Sequence, residues 1–324
     1  MSLTLSCAFA TSPQSHEHAR IAESLGYTNA YFYDSPALYP DVWVQLCRAA
    51  ERTDRIGLGP AVLVPSNRHP MTNASAIATL VDIAGEERVT VAVSSGFTGR
   101  MAMGQRALRW VFVEEYVRAL QGLLRGDVVT WDGAPIQMLH SPGMAPERPI
   151  HVRWLIGAGG PKGVAVAREL GDGVFGVLPV DDFDWSVSLI YGTVLQDGES
   201  ADSERVLAAA GHAASVTLHY AYEHSLLPPE QLSDWLSAYD EVPEDRKHLA
   251  MHYGHLVHVN EHDARHVNGE LLTNFGLVST VEGWRDRLAE LEAAGSTEIA
   301  YQPAGPDIPG ELRAFAEAFT QSTA

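Results

Sequence analysis

Four short stretches of this chain hold residues able to do chemistry. Tyr31-Phe32-Tyr33-Asp34-Ser35-Pro36 delivers a carboxylate directly after an aromatic run, where Asp34 can serve as general acid or base, or simply turn the chain before Ser-Pro. Asn67-Arg68-His69-Pro70 offers an imidazole that titrates near neutral pH, with a helix start at Pro70 as the plainer reading. Val93-Ser94-Ser95-Gly96-Phe97-Thr98-Gly99-Arg100 is a small-residue loop whose amides can approach a planar ring or a phosphate. Gly157-Ala158-Gly159-Gly160-Pro161-Lys162-Gly163 precedes a helical pattern, so its glycines allow close backbone approach and the helix start offers free amides to an anion. It is not a dinucleotide fingerprint, because a G-x-G-x-x-G frame opened at Gly157 would put its third glycine on Lys162.

A fifth feature is histidine. His258-Val259-Asn260-Glu261-His262 matches the H-x-x-E-H pattern of inverted zinc peptidases, with His248, His252, His255 and His266 around it at three- and four-residue spacings that could share one helical face. Gly254, Val257 and Val259 weaken a continuous helix there, so the competing reading is histidines lining a pocket or a solvated face. Asn73-Ala74-Ser75 fits a glycosylation pattern, which carries no weight without a secretion signal.

These stretches need elements to hold them. Apolar runs alternate with helical patterns along the chain, with strands expected at Leu3 to Phe9, Ala30 to Tyr33, Ile56 to Val64, Val89 to Ser94, His151 to Ile156, Gly173 to Leu178, Ala214 to Tyr220 and Thr297 to Gln302. Helices are expected at His16 to Ser24, Val42 to Thr53, Met71 to Ala84, Arg106 to Leu124, Lys162 to Leu170, Asp184 to Tyr191 and Gly310 to Thr320. Eight alternations predict an α/β fold, a (β/α)8 TIM barrel, with a doubly wound sheet as the alternative. Pro60 inside an apolar strand predicts a bulge around 60–62. Residues 126–149 read as a β-excursion, and about 223–284 as a partly helical insertion before the last strand of a single domain spanning 1–324. In such a barrel chemistry sits at the C-terminal ends of the strands, which is where the four stretches fall.

Composition narrows the partners. Lys and Arg number 22 against 41 Asp and Glu, a formal charge of −19, and so negative a surface argues against nucleic acid and anionic lipid. No apolar run reaches the roughly 18 residues of a spanning helix. Two cysteines, Cys7 and Cys47, in apolar surroundings suit reduced buried thiols, and with no basic, apolar leader at the start a cytoplasmic location is expected.

Taken together, the loops resemble the luciferase-like flavin and deazaflavin oxidoreductases, in particular the branch that uses coenzyme F420 and includes methylenetetrahydromethanopterin reductase. The carrying pieces are Ala22-Glu23-Ser24-Leu25-Gly26-Tyr27 leading to Tyr33-Asp34-Ser35, Arg55-Ile56-Gly57-Leu58-Gly59 through Asn67-Arg68-His69-Pro70, and Gly85-Glu86-Glu87-Arg88-Val89. Further on come Leu124-Arg125-Gly126-Asp127, Ala158-Gly159-Gly160-Pro161 and Gly171-Asp172-Gly173-Val174. The resemblance implies a TIM barrel and a hydride transfer between F420 and a small organic substrate, or, with FMN instead, a monooxygenase. A non-catalytic flavin-binding barrel and a zinc hydrolase are further alternatives. It implies that Asp34 lies near the reactive part of the ring, that Ala61-Val62 is a non-proline cis peptide behind it, and that Ser95 and Gly96 line the cofactor channel. Ala158, Gly159, Gly160 and Pro161 would receive the phosphate, and Asp34 and His69 would be the catalytic acid or base. Ser35 and Phe97 stand where the sugar-phosphate dehydrogenases of the family carry histidine and glutamate, so that activity is not expected. Relatives are commonly homodimers, and Trp110-Val111-Phe112-Val113 is a suitable contact, or else packs inward.

Overall fold

Eight short runs with apolar or small side chains form eight parallel strands in the computed structural model, which describes residues 3–226 and 228–320. They are β1 (Thr4–Phe9), β2 (Asn29–Phe32), β3 (Gly57–Pro60), β4 (Thr90–Ser94), β5 (Arg153–Gly157), β6 (Gly173–Gly176), β7 (Ser186–Tyr191) and β8 (Glu298–Gln302). Their order in the sheet is β3-β2-β1-β8-β7-β6-β5-β4. Leu58 bridges to Val89 and Leu63 to Val93, so β3 meets β4 and the sheet is a nearly closed (β/α)8 barrel. At Gly59 a side chain is impossible: a Cβ there would lie 1.6 Å from the Thr90 carbonyl oxygen.

The helices follow in order: α1 (Ser15–Ser24), α2 (Val42–Ala50), α3 (Pro70–Ala84), α4 (Phe97–Met101), α5 (Trp110–Arg125) and α6 (Pro161–Leu170). In α5, Val113, Tyr116, Val117, Leu120, Leu123 and Leu124 are buried at helical spacing, and Gly126 ends it in the left-handed region at φ +91°. The tetrapeptide at its start is divided: Val113 is buried, Trp110 packs tightly on Gly163, Phe112 meets Trp131, and Val111 stays exposed. Residues 129–131 and 134–136 pair as the expected antiparallel excursion.

Two expectations exchange places. Asp184 to Tyr191 is not helical but holds the seventh strand, and Ala214 to Tyr220 is not a strand but part of α7 (Glu204–Glu223). Val206, Ala209, Ala210, Ala213 and Ala214 recur at helical spacing, and Ser203 caps the helix by accepting from Val206 N at 3.2 Å, so amphipathicity over 20 residues outweighs the β-branched run. Ser186 and Ser188 read as polar, yet both are fully buried, and the Ser188 hydroxyl pairs with that of Ser296 at 2.7 Å. Strand–helix alternation therefore continues through β7 and α7. After α7 come α8 (Pro229–Leu236), α9 (Lys247–Met251) and α10 (Gly269–Asn274), before α11 (Val281–Ala293) leads to β8 and α12 (Ile308–Thr320) closes the chain.

Contacts divide the chain into two compact units. The first comprises residues up to 100, 106–189 and 291–300; the second comprises 101–105, 190–290 and the residues from 301 onward. The first has a polar plug at the N-terminal ends of the strands. Buried Glu298 accepts from Asn29 Nδ2 at 3.0 Å, Tyr31 Oη at 2.9 Å and Trp185 Nε1 at 2.7 Å, while Arg153 reaches Asn29 Oδ1 and stacks over Trp185. Burial and the nearby Glu298 push the Tyr31 hydroxyl's pKa well up, so it stays a donor. The second unit has its own apolar centres, one between α7, α10 and residues 277–278, another around Leu232, Trp235, Tyr239 and Met251. Both cysteines are free thiols, and no helix among the described residues is long and apolar enough to cross a membrane.

Candidate functional site

At the other end of the barrel, the exits of β2, β3, β4 and β5 carry the four chemical stretches, and the structure joins them through specific contacts. Asp34 follows β2 with 1% of its side chain exposed. One oxygen accepts from Arg68 at 2.7 Å and the other from the Val64 backbone N–H at 3.3 Å. Arg68 donates its second arm to Asp41 at 2.7 Å, and Asp41 caps α2 by accepting from Trp43 and Val44 N–H. Burial alone would lower the pKa of Arg68, but Asp34 and Asp41 outweigh it and the net shift is upward, so the guanidinium stays charged. The Arg68 carbonyl in turn accepts from Tyr116 Oη at 2.9 Å, which accepts from Asn73 Nδ2 at 2.7 Å. Asn73, the residue with a glycosylation-like pattern, is thus a fully buried strut, its Oδ1 also taking the Trp43 indole N–H.

Arg68 and Asp41 are the residues that sequence reasoning left out. The signal for Arg68 is its position: it follows the strand neighbouring the one that ends at Asp34, and a buried carboxylate requires a partner.

The bulge expected around Pro60 is present. The Ala61–Val62 peptide is cis, Ala61 N–H donates to Phe32 O, and Leu63 rejoins β4 through Ala92 O at 2.7 Å. Val62 keeps part of its side chain in solvent and borders Ser94 and Gly157, because a Cβ added at Gly157 would sit 2.8 Å from both. Ser94 Oγ donates to Gly157 O at 2.6 Å. Gly96 has φ +76°, and a Cβ there would lie 2.3 Å from Val64 Cγ1, so this loop needs glycine for conformation and for space. Ser95 accepts from Leu108 N–H at 2.9 Å.

Beyond β5, Ala158 is buried and its N–H donates to Phe175 O at 3.0 Å. Gly159 and Gly160 face open space, with no atom within 4 Å of where a Cβ would stand. Gly160 caps α6 without a side-chain hydrogen bond and Pro161 is its first residue, so the first amides the helix leaves unpaired belong to Lys162 and Gly163. The result is an open stretch of backbone carrying partial positive charge.

His69 is placed differently. Its Nδ1 accepts from Met71 N–H at 3.1 Å, capping α3, and its exposed ring meets Trp131 edge-on at 6.2 Å. Trp131 also packs on Phe112 and Tyr116. The structure thus connects Asp34, Val62, Ser95, Gly96 and Ala158 through neighbouring contacts, whereas the contacts of His69 belong to a helix start and a hairpin.

The H-x-x-E-H run does not form a metal-binding helix. Residues 252–268 form turns and loop, and Gly254 and Leu256, just ahead of the run, have φ of +74° and +58°. His258 lies against Gly254 and the ring of Tyr253, while His262 Nδ1 bonds Ala238 O at 2.8 Å, so the two rings have separate partners.

The barrel matches known proteins. Residues 11–298 match the family described as luciferase-like monooxygenase, and the chain belongs to that family. It is an oxidoreductase. It is 27% identical over 309 residues to 5,10-methylenetetrahydromethanopterin reductase of Archaeoglobus fulgidus, covering 90% of each chain. Among solved structures it is similar to the coenzyme F420-dependent tetrahydromethanopterin reductase of Methanopyrus kandleri, with a TM-score of 0.66, 17% identity and 98% of each chain covered. It is similar also to a type II Baeyer–Villiger monooxygenase of Pseudomonas putida in complex with FMN, with a TM-score of 0.61, 10% identity and 98% of each chain covered.

Proposed function

We propose that this protein transfers hydride between a deazaflavin coenzyme of the F420 type and a small organic substrate at the C-terminal rim of its barrel. The observation that carries this reading is the continuous surface at the exit of β5: Val62 and Ser94 against Gly157, then the open backbone of Gly159 and Gly160 leading to the unpaired amides of α6. A flat ring at one end and a phosphate at the other suit such a surface. The likeness of the fold to coenzyme F420-dependent enzymes, over 98% of both chains, supports the deazaflavin.

When bound, the deazaflavin supplies a hydride carrier that resists oxygen. The chain's own residues do the rest. Lys162 and Gly163 amides receive the phosphate, and the absence of side chains at Gly159 and Gly160 lets it approach. Val62 and Gly157 support the ring. Asp34 fixes the backbone behind Val62 through Val64 N–H, and its oxygens keep lone pairs with which to hold a proton of the substrate.

Paired fluorescence titrations with the deazaflavin coenzyme and FMN test the proposal, together with oxygen uptake during turnover. Micromolar or tighter binding of the deazaflavin, without oxygen uptake, is expected; preference for FMN with oxygen consumed moves the assignment to a monooxygenase. Asp34→Asn should lower turnover by about 10²–10⁴ and leave coenzyme affinity nearly intact. Unchanged turnover removes Asp34 from the chemistry.

A further inference from the structure

Inside the second unit three histidines converge from two parts of the chain. His219 lies on α7, and His252 and His255 lie in the turn after α9; all three are buried. One ring nitrogen from each falls within 4.8 Å of the others. Two of the rings are held by carboxylates: His219 Nε2 bonds Asp263 at 2.8 Å and His252 Nε2 bonds Glu223 at 3.0 Å. Asp263 is itself fixed by Trp235 Nε1 at 2.6 Å and Tyr239 Oη at 2.7 Å.

These bonds decide the tautomers. With Nε2–H donating to a carboxylate, Nδ1 of His219 and of His252 carries a lone pair turned away from that carboxylate. His219 Nδ1 is buried without a hydrogen-bond partner, and His252 Nδ1 faces His255 Nδ1 at 3.3 Å. Zinc bonds of about 2.0–2.1 Å in tetrahedral geometry put ligand nitrogens roughly 3.3–3.4 Å apart, the separation of this pair. The alternative is a metal-free core in which His255 Nδ1–H donates to His252, and that arrangement leaves His219 Nδ1 unsatisfied.

We infer that His219, His252 and His255 form a site for a divalent transition metal of the zinc type, with Asp263 and Glu223 orienting two of the three ligands. Carboxylate–histidine pairs of this kind set ring orientation and basicity in such sites. The ion ties α7 to the 252–255 turn and keeps a fourth position for water or another small ligand. The site is independent of the coenzyme proposed above and does not use the H-x-x-E-H run.

The test uses the full-length protein, stripped with a chelator and reloaded with Zn²⁺ or Co²⁺. About one equivalent should bind, cobalt should give the visible absorption of a tetrahedral site, and zinc should raise the thermal midpoint. Glu223→Gln should weaken affinity by about 10–100-fold. His219→Gln and His252→Gln should abolish binding, while His258→Gln should leave it unchanged. The inference is overturned if the folded wild-type protein binds well below one equivalent, if cobalt gives no tetrahedral spectrum, or if folded His219→Gln or His252→Gln binds as the wild type does. Should the histidine variants fail to fold, the wild-type cobalt spectrum and Glu223→Gln decide.

Discussion

Glu298 and Asp34 are carboxylates almost without solvent contact at opposite ends of one barrel, and their surroundings differ in kind. Glu298 is satisfied by neutral donors from Asn29, Tyr31 and Trp185, and Arg153 approaches only through Asn29 and the Trp185 ring. Asp34 is satisfied by a guanidinium and one backbone amide, beside glycine loops that leave open space. The base is a closed network of side chains that fixes strand ends. The rim is built from backbone, the ion pairs of Arg68 with Asp34 and Asp41, and absent side chains, which is what a surface needs if it is to receive a ligand.

Removing Glu298 should have the largest effect on stability. In Glu298→Ala the buried donors Asn29 and Tyr31 and the half-buried Trp185 lose their acceptor at about 1–3 kcal/mol each, so urea denaturation should report a loss of about 5 kcal/mol, with coenzyme affinity of the folded fraction unchanged. A loss below about 2 kcal/mol would mean that the base is less closed than the hydrogen bonds indicate.

Arg68→Ala should cost about 3–5 kcal/mol, because it leaves Asp34 buried without its charge partner. Unlike the change at the base, it should also lower turnover, because it frees the carboxylate of Asp34. Adding Asp34→Asn should recover part of the lost stability, and strict additivity of the two would show that the pair is not coupled.

The third prediction concerns pH. Burial lowers the pKa of His212 from 6.5 to about 4 in the folded protein, whereas in the unfolded chain it titrates normally. Between those values the unfolded state binds more protons, so stability is complete above about 6.5 and declines as pH falls toward 4, by on the order of 3 kcal/mol. His212→Gln should flatten this slope in thermal melts across the window, and an unaltered slope would assign it to other groups.

The smallest effect should come from Gly160→Ala. The space beyond Gly160 is open and its φ of −105° suits any residue, so stability should stay within about 0.5 kcal/mol. A methyl in the path of the phosphate should still raise the deazaflavin Kd by about tenfold, or about 1.4 kcal/mol. Unchanged affinity would move the phosphate away from α6.

Much of the barrel was legible from the chain. Strands and helices alternate with a regularity that survives boundary errors of a few residues, and the bulge at Pro60 follows from a proline inside an apolar strand. The misreading of 184–191 and 214–220 has a local cause: Ser-Val-Ser-Leu-Ile-Tyr and Ala-Ser-Val-Thr-Leu-His-Tyr have similar composition, and only their neighbours differ. At the rim, Asp34 and the glycines have a signature in residue type, whereas Val62 came only from the family resemblance. Arg68 has no such signature, since nothing in Asn-Arg-His-Pro distinguishes a solvated arginine from one folded onto a buried carboxylate.

The amino-acid order by itself determined the succession of strands and helices, the sites where backbone must come close, and the excess of negative charge. These follow from periodicity, from the missing side chain of glycine and from counting. Tertiary structure alone decided which charges pair and which histidines meet. His258 and His262 have the metal-like spacing and diverge, while His219, distant in the chain, joins His252 and His255. The physical reason is that hydrogen bonds and metal ligation depend on separations of a few ångströms, which chain spacing fixes only within one regular element.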